Sequence, residues 1–227
     1  MINGLESALA DAASPKAAQS LQRFFPHPVT ALGVSNADVA TIAGAAFKRN
    51  PDVSVDEWMM VADHFARSHR YHEHLILASA LAAKLVRAPD DGRLFDLMAS
   101  WLESDVSNWA QCDDLCIKPL YLYLKRRPQL LGRIGDWGAS ASPWLRRASN
   151  VALVKFVGRS EHVHLEKVFA NCARLLTDGD PYVQKGIGWI LKVASRHAPH
   201  DVLAFIEQHD AVIQRSTRRY ALEKLRT

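Results

Sequence analysis

Helical periodicity is the feature that most constrains this chain, because the patterns typical of β-strands are nearly absent. One apolar face recurs at the spacing of an α-helix, in Leu75, Ala78, Ala82 and Leu85. No run alternates Val, Ile and Thr, and no Asn-Gly or Asp-Gly pair joins two β-like runs. The sequence therefore predicts an all-α fold.

A weak internal repeat refines this prediction. Three segments share an opening in which a capping residue is followed by Pro or Asn and then by an aromatic residue. They begin at Ser107, Ser142 and Asp180, which are 35 and 38 positions apart. Proline suits the first helical position because its missing N–H would be unpaired there. Helix pairs of this length stack into an α-solenoid of HEAT-like repeats, and a generic helical bundle with coincident caps is the alternative.

The absence of a long linker predicts a single HEAT-like repeat domain over residues 1–227. Residues 1–14 are expected either to fray or to form a short opening helix. No apolar run reaches the roughly 18 residues of a membrane span, and no signal peptide is apparent. Three cysteines cannot pair evenly, which favours a reducing cytoplasm. They are Cys112, Cys116 and Cys172.

Charge is distributed unequally along the chain. Residues 1–114 carry 9 Lys+Arg and 15 Asp+Glu, whereas residues 115–227 carry 19 and 9. The second part therefore has a net charge of +10, although the whole chain has only +4. A basic half favours a polyanion such as nucleic acid as partner. The alternative is that the excess charge is spread over solvated faces.

Trp109 and Asp113 form the first candidate site. They lie four positions apart at the predicted start of a helix, so their side chains share one face. A carboxylate beside an aromatic face suits a cationic transition state. The alternative is a core tryptophan with Asp113 as an acid favoured by the dipole at the helix start.

Two further segments contain candidate residues. Arg146 and Arg147 follow a predicted helix start, where they would form a phosphate clamp; the alternative is that one packs on Trp144 and the other meets solvent. Gly186 and Gly188 lie inside a predicted helix, at a cost of about 1 kcal/mol each relative to alanine. Either a ligand or a neighbouring helix approaches the backbone there.

A histidine-rich segment, His69, His72, Glu73 and His74, suggests metal ligands at first sight. However, residues two positions apart on a helix do not face each other, and no second cluster of ligands follows. We therefore expect no metal.

In this order, the three segments resemble the AlkD-type DNA alkylation-repair glycosylases, which are HEAT-like repeat proteins. The resemblance extends from about residue 15 to 225. The segments that carry it are Asn108–Asp114, Ser142–Ala148 and Gln184–Leu191, with an earlier match at Leu32–Val34.

The resemblance implies roles for individual residues. Asp113 matches the catalytic aspartate, Trp109 and Trp189 match the two active-site tryptophans, and Arg147 matches an arginine that holds the DNA backbone. We expect Arg146 and Lys185 to contact DNA as well. Phe24 departs from the tyrosine of some members, so no hydrogen bond from a hydroxyl is expected there.

The resemblance further implies a metal- and cofactor-free enzyme that excises N3-methyladenine or N7-methylguanine from double-stranded DNA without flipping the base. A cationic alkylpurine leaves as a neutral base and needs no general acid, while a carboxylate stabilises the oxocarbenium-like sugar. A monomer is expected. The alternatives are a non-catalytic helical-repeat protein that binds nucleic acid and a protein-interaction scaffold.

Overall fold

A computed structural model describes residues 1–159 and 164–225, and no strand occurs in these ranges. The all-α prediction is thus confirmed. The α-helices are α1 Ile2–Asp11, α2 Pro15–Gln22, α3 Asn36–Arg49, α4 Val55–Arg67, α5 His72–Leu85, α6 Arg93–Ser104, α7 Trp109–Leu115, α8 Tyr121–Arg126, α9 Leu131–Ile134, α10 Pro143–Val151, α11 Val154–Val157, α12 Leu165–Leu175, α13 Pro181–Ala194, α14 Pro199–Gln208 and α15 Arg215–Ala221. A π-helical turn spans Cys116–Leu120, and 3-10 turns span Pro128–Leu130 and Gly135–Ala139.

Two compact units make up the chain, Met1–Tyr123 and Leu124–Thr227. The first is organised around α5, which packs against α3, α4 and α7. The second is organised around α13, which packs against α10, α12 and α15. Both central helices are buried along most of their length, so each unit has its own apolar core. None of the helices in the described ranges combines the length and apolarity that a bilayer crossing needs.

Side-chain caps begin several helices, and of the predicted capping residues Asp180 is confirmed, whereas Ser142 makes no side-chain cap hydrogen bond at the start of α10. Ser35 Oγ accepts the Asp38 N–H at 3.1 Å at the start of α3. Ser54 and Glu57 form a reciprocal capping box at the start of α4. Asp180 accepts two backbone N–H groups at the start of α13, ahead of a proline in the first turn. The N-terminus forms the opening helix α1 rather than fraying.

The backbone of the segment Leu32–Val34 is held by a buried carboxylate from α5. Glu73 accepts the backbone N–H groups of Leu32, Gly33 and Val34 at 2.9, 2.7 and 3.2 Å. Gly33 has φ +80, and a Cβ atom there would overlap the carbonyl oxygen of Ser14. Only glycine fits this position, which explains why a glycine lies between Leu32 and Val34. The three hydrogen bonds to this segment give Glu73 a structural role.

Replacing Gly33 by alanine should therefore lower the free energy of unfolding by at least about 2 kcal/mol, since both φ and the close approach oppose a side chain. The control is Gly4→Ala in α1, where an added Cβ meets nothing within 4 Å. That control should gain about 0.5–1 kcal/mol. Denaturant unfolding measures both, and equal stability of the two variants would contradict the account.

Candidate active site

The first turn of α7 is fixed by its cap. Asn108 Oδ1 accepts the N–H groups of Ala110 and Gln111, both at 3.1 Å. The helix therefore begins at Trp109, as the sequence predicts, and Asp113 follows one turn later on the same face.

The indole of Trp109 is held by the connection that follows α2. Its Nε1 donates to Phe24 O at 3.3 Å, and its ring centroid lies 5.7 Å from that of Phe25. Phe25 is buried, whereas the Phe24 side chain is 60% exposed. Trp109 itself is partly exposed, unlike the core residue Trp101. An anchored but accessible indole is suited to contact a ligand rather than to fill a core.

Asp113 and Asp114 are adjacent carboxylates in different surroundings. Asp114 is buried, accepts hydrogen bonds from Asn36 Nδ2 at 2.9 Å and Ser79 Oγ at 2.7 Å, and pairs with Lys118. Asp113 is partly exposed. Asp114 thus joins α7 to α3 and α5, a role that sequence reasoning missed. The only hint in the sequence is Lys118, four positions later.

A π-helical turn follows α7 directly and contains Pro119. Proline lacks an N–H and clashes with the carbonyl one turn earlier in an α-helix, so a wider turn accommodates it. Such turns are frequent beside functional sites. Pro119 is the signal in the sequence from which this turn could have been predicted.

In the second unit, Arg146 is engaged within the protein. Its Nε donates to Asp178 Oδ2 at 2.6 Å, and its Nη1 donates to the carbonyls of Ser140 and Ala141 at 3.0 and 2.8 Å. These contacts fix the connection before α10. They differ from the phosphate clamp expected of this residue, which would need the guanidinium turned toward a ligand.

The two glycines of α13 lie where side chains of neighbouring helices, Arg147 among them, pack closely against its backbone. Arg147 is 5% exposed and donates to Tyr182 O. A Cβ atom at Gly186 would lie 3.4 Å from Arg147 Cγ, and one at Gly188 would lie 2.8 Å from Tyr220 Cδ1. Side chains of α10 and α15 therefore approach α13 at its glycines. Of the two expectations for these glycines, the neighbouring helix is the one observed.

One face of α13 carries an exposed cation and aromatic rings. Lys185 is exposed, and its ammonium lies 5.3 Å from the ring centroid of Tyr182. The Tyr182 ring in turn packs 5.1 Å from that of Trp144. Trp189 follows one turn after Lys185 and is partly exposed. Such a face can bind a phosphate and stack against a base.

Three residues of the histidine-rich segment, His69, His72 and His74, line part of a cavity of about 220 Å³ in the first unit. Burial lowers the pKa of both His72 and His74, against the opposing charge of nearby carboxylates. His72 Nδ1 lies 3.3 Å from Asn108 Nδ2. In the part of the chain that is described, no three His, Cys, Asp or Glu residues are arranged to hold a metal ion.

Comparisons with known proteins give a family and a fold for the chain. A family model described as DNA alkylation repair enzyme matches residues 5–225. A predicted DNA alkylation repair enzyme from Enterococcus faecalis is 16% identical, with a TM-score of 0.80 over 95% of this chain and 97% of that chain. AlkD2 from Streptococcus mutans is 18% identical, with a TM-score of 0.64 over 93% and 99%. At these identities the structures confirm the helical-repeat fold alone. Among curated proteins no significant match is found.

The two adjacent phenylalanines provide a test of how Trp109 is held. Phe25→Ala removes a buried ring that packs on the indole and should lower the free energy of unfolding by about 3 kcal/mol. It should also change the tryptophan fluorescence spectrum. Phe24→Ala removes an exposed ring and leaves the carbonyl that accepts the indole N–H, so its stability should stay within about 0.5 kcal/mol of the wild type. Equal losses in the two variants would refute this description.

Proposed function

Because the chain belongs to the DNA alkylation repair enzyme family, we propose that it is a DNA glycosylase that excises positively charged alkylpurines from duplex DNA. N3-methyladenine and N7-methylguanine are the expected products. The observation that carries the proposal is the placement of Asp113 in α7. Its carboxylate is partly exposed and lies on the same helix face as the indole of Trp109, which is itself partly exposed and held by Phe24 O and Phe25.

The chemistry requires little beyond a positioned carboxylate. When the C1′–N bond breaks, its electron pair neutralises the cationic base, so the base needs no proton to leave. Positive charge develops on the deoxyribose, and a fixed carboxylate stabilises it. Water then adds to C1′ and gives up a proton, for which Asp113 is the candidate acceptor. The products are a neutral alkylpurine, an abasic site and a proton, without metal or cofactor.

The indoles contribute by electrostatics. A cation over an aromatic face is stabilised by about 0.5–2 kcal/mol, depending on how far water is excluded. The N–H of Trp109 is already bonded to Phe24 O, so the indole offers its ring to a ligand. Trp189 is proposed as a second aromatic contact on α13. Because stabilisation of a charged lesion does not require a closed pocket, we propose excision without base flipping.

Phosphate binding is assigned to cations of the second unit. Lys185 is exposed beside an aromatic ring, which supports a direct contact to the DNA backbone. Arg147 is the other candidate on the family resemblance alone, because its side chain is buried and already donates to Tyr182 O. Arg146 is a weaker candidate, since Asp178 and two carbonyls already occupy it. We further propose a monomer in the cytoplasm, where free, buried cysteines such as Cys172 persist.

Asp113→Asn should lower the single-turnover rate of N7-methylguanine release by about 100-fold or more, because the lost charge acts on the transition state. Its affinity for alkylated duplex should stay within about threefold of the wild type. High-performance liquid chromatography of released bases and fluorescence anisotropy measure the two quantities.

The matched control is Asp114→Asn, which makes the same change one residue later. It should destabilise the fold by about 1–3 kcal/mol, because Lys118 loses the opposite charge and an amide nitrogen replaces one of the two oxygens that accept from Asn36 and Ser79. Its rate per folded molecule should remain near that of the wild type. Base release by Asp113→Asn at the wild-type rate would remove the catalytic role. DNA binding with no base release by the wild type would instead favour the non-catalytic binder.

Lys185→Ala should weaken binding to alkylated and unmodified duplex alike and should reduce the salt slope of binding by about 1. Lys167→Ala on α12 removes the same charge from the same unit and serves as the control. Titrations by fluorescence anisotropy at several salt concentrations give both slopes. Identical slopes for the two variants would argue against a phosphate contact at Lys185.

A further inference from the structure

We propose that His72 is a positioning residue for the active-site helix: its neutral imidazole holds the cap of α7 and the aromatic support of Trp109. The consequence for activity rests on the proposed function, whereas the positioning itself concerns the fold. His72 is buried in the first turn of α5 and has no part in the chemistry proposed above.

The direction of the key hydrogen bond follows from the cap. Asn108 Oδ1 accepts the backbone N–H groups of Ala110 and Gln111, so its amide nitrogen must face the other way. That nitrogen lies 3.3 Å from His72 Nδ1. A donor there requires an unprotonated Nδ1, so the ring is the neutral tautomer with its proton on Nε2. A protonated ring would set two donors against each other.

His72 also supports α7 through two other contacts. Gln111 Nε2 donates to the His72 carbonyl at 3.1 Å. The imidazole lies 5.9 Å from the Phe25 ring, which in turn lies 5.7 Å from Trp109. One residue thus contacts the cap, the first turn and the ring behind the indole.

The electrostatic surroundings determine the direction of the pH effect. Burial lowers the pKa of His72, and the charges of Glu73 and Asp114 oppose this lowering only in part. Both carboxylates are occupied, Glu73 by three backbone N–H groups and Asp114 by side chains of α3, α5 and the π turn. The other titratable groups around the same cavity are His27, His69, Tyr71, His74 and Asp105.

A histidine whose pKa is lower in the folded protein stabilises the fold fully above its unfolded pKa of about 6.5. This stabilisation is lost as the pH falls below that value toward the folded pKa, because the unfolded chain then binds more protons. Acidification should therefore weaken the start of α7.

Asn108→Asp is the variant that tests this. Aspartate also caps helices, so α7 keeps its start. Its second carboxylate oxygen now accepts a hydrogen bond from His72, and protonation of His72 strengthens the contact instead of breaking it. Between about pH 7.5 and about pH 5.5, the base-release rate of the wild type should fall by about fivefold more than that of Asn108→Asp, which corresponds to the loss of a typical cap.

His72→Gln supplies the matched background, since an amide can donate or accept but does not titrate. In that background, exchange of Asn108 for Asp should no longer change the pH dependence. The four proteins form a double-mutant cycle that cancels every other titrating group, His74 included. The melting temperature, measured over the same pH range without DNA, gives a second readout of the cycle.

The two proposals fail differently. Base release by the wild type near neutral pH tests the glycosylase function alone. The exchange of Asn108 for Asp can change the pH dependence as much in the His72→Gln background as in the wild-type background. That result would overturn the positioning role of His72, whether or not bases are released. A shift of melting temperature that appears only when His72 is present supports that role even if no base is released.

Discussion

The carboxamide of Asn108 caps the start of α7, and the candidate chemistry depends on that start. The oxygen of Asn108 satisfies two backbone donors that a helix cannot satisfy itself, and its nitrogen faces an imidazole from α5. Because Trp109 is the first helical residue, a change in the cap moves the indole before any other side chain. Precision at this site comes from hydrogen bonds within the first unit rather than from the helix alone.

The neighbouring carboxylates of α7 show how surroundings assign roles to identical groups. Asp114 contacts three side chains from three segments and behaves as part of the core. Asp113 lies one residue away, rotated by about 100° around the helix axis, and remains partly exposed. A buried, hydrogen-bonded carboxylate stabilises a fold, whereas a carboxylate that solvent can reach can also meet a developing positive charge. The same helix therefore supplies both stability and a candidate catalyst.

Local patterns in the sequence predicted the structural features that depend on residues close together in the chain. The helical class, the cap at Asp180, and the shared face of Trp109 and Asp113 follow from spacings of a few residues. The contacts that the sequence did not reveal join distant segments: Glu73 reaches Gly33, and Arg146 pairs with Asp178. Nothing in the local pattern around Arg146 distinguishes a structural ion pair from a phosphate contact, because both use the same fork of donors.

The π turn at Cys116–Leu120 joins α7 directly to α8 and interrupts the α-helical period between them. It contains one more residue per turn than an α-helix, so side chains after Pro119 are offset by about 100° from the positions that a constant period would give them. Apolar residues before and after Pro119 therefore do not follow one constant helical period. A uniform helical wheel drawn from Trp109 to Arg126 would assign the buried face of one end wrongly.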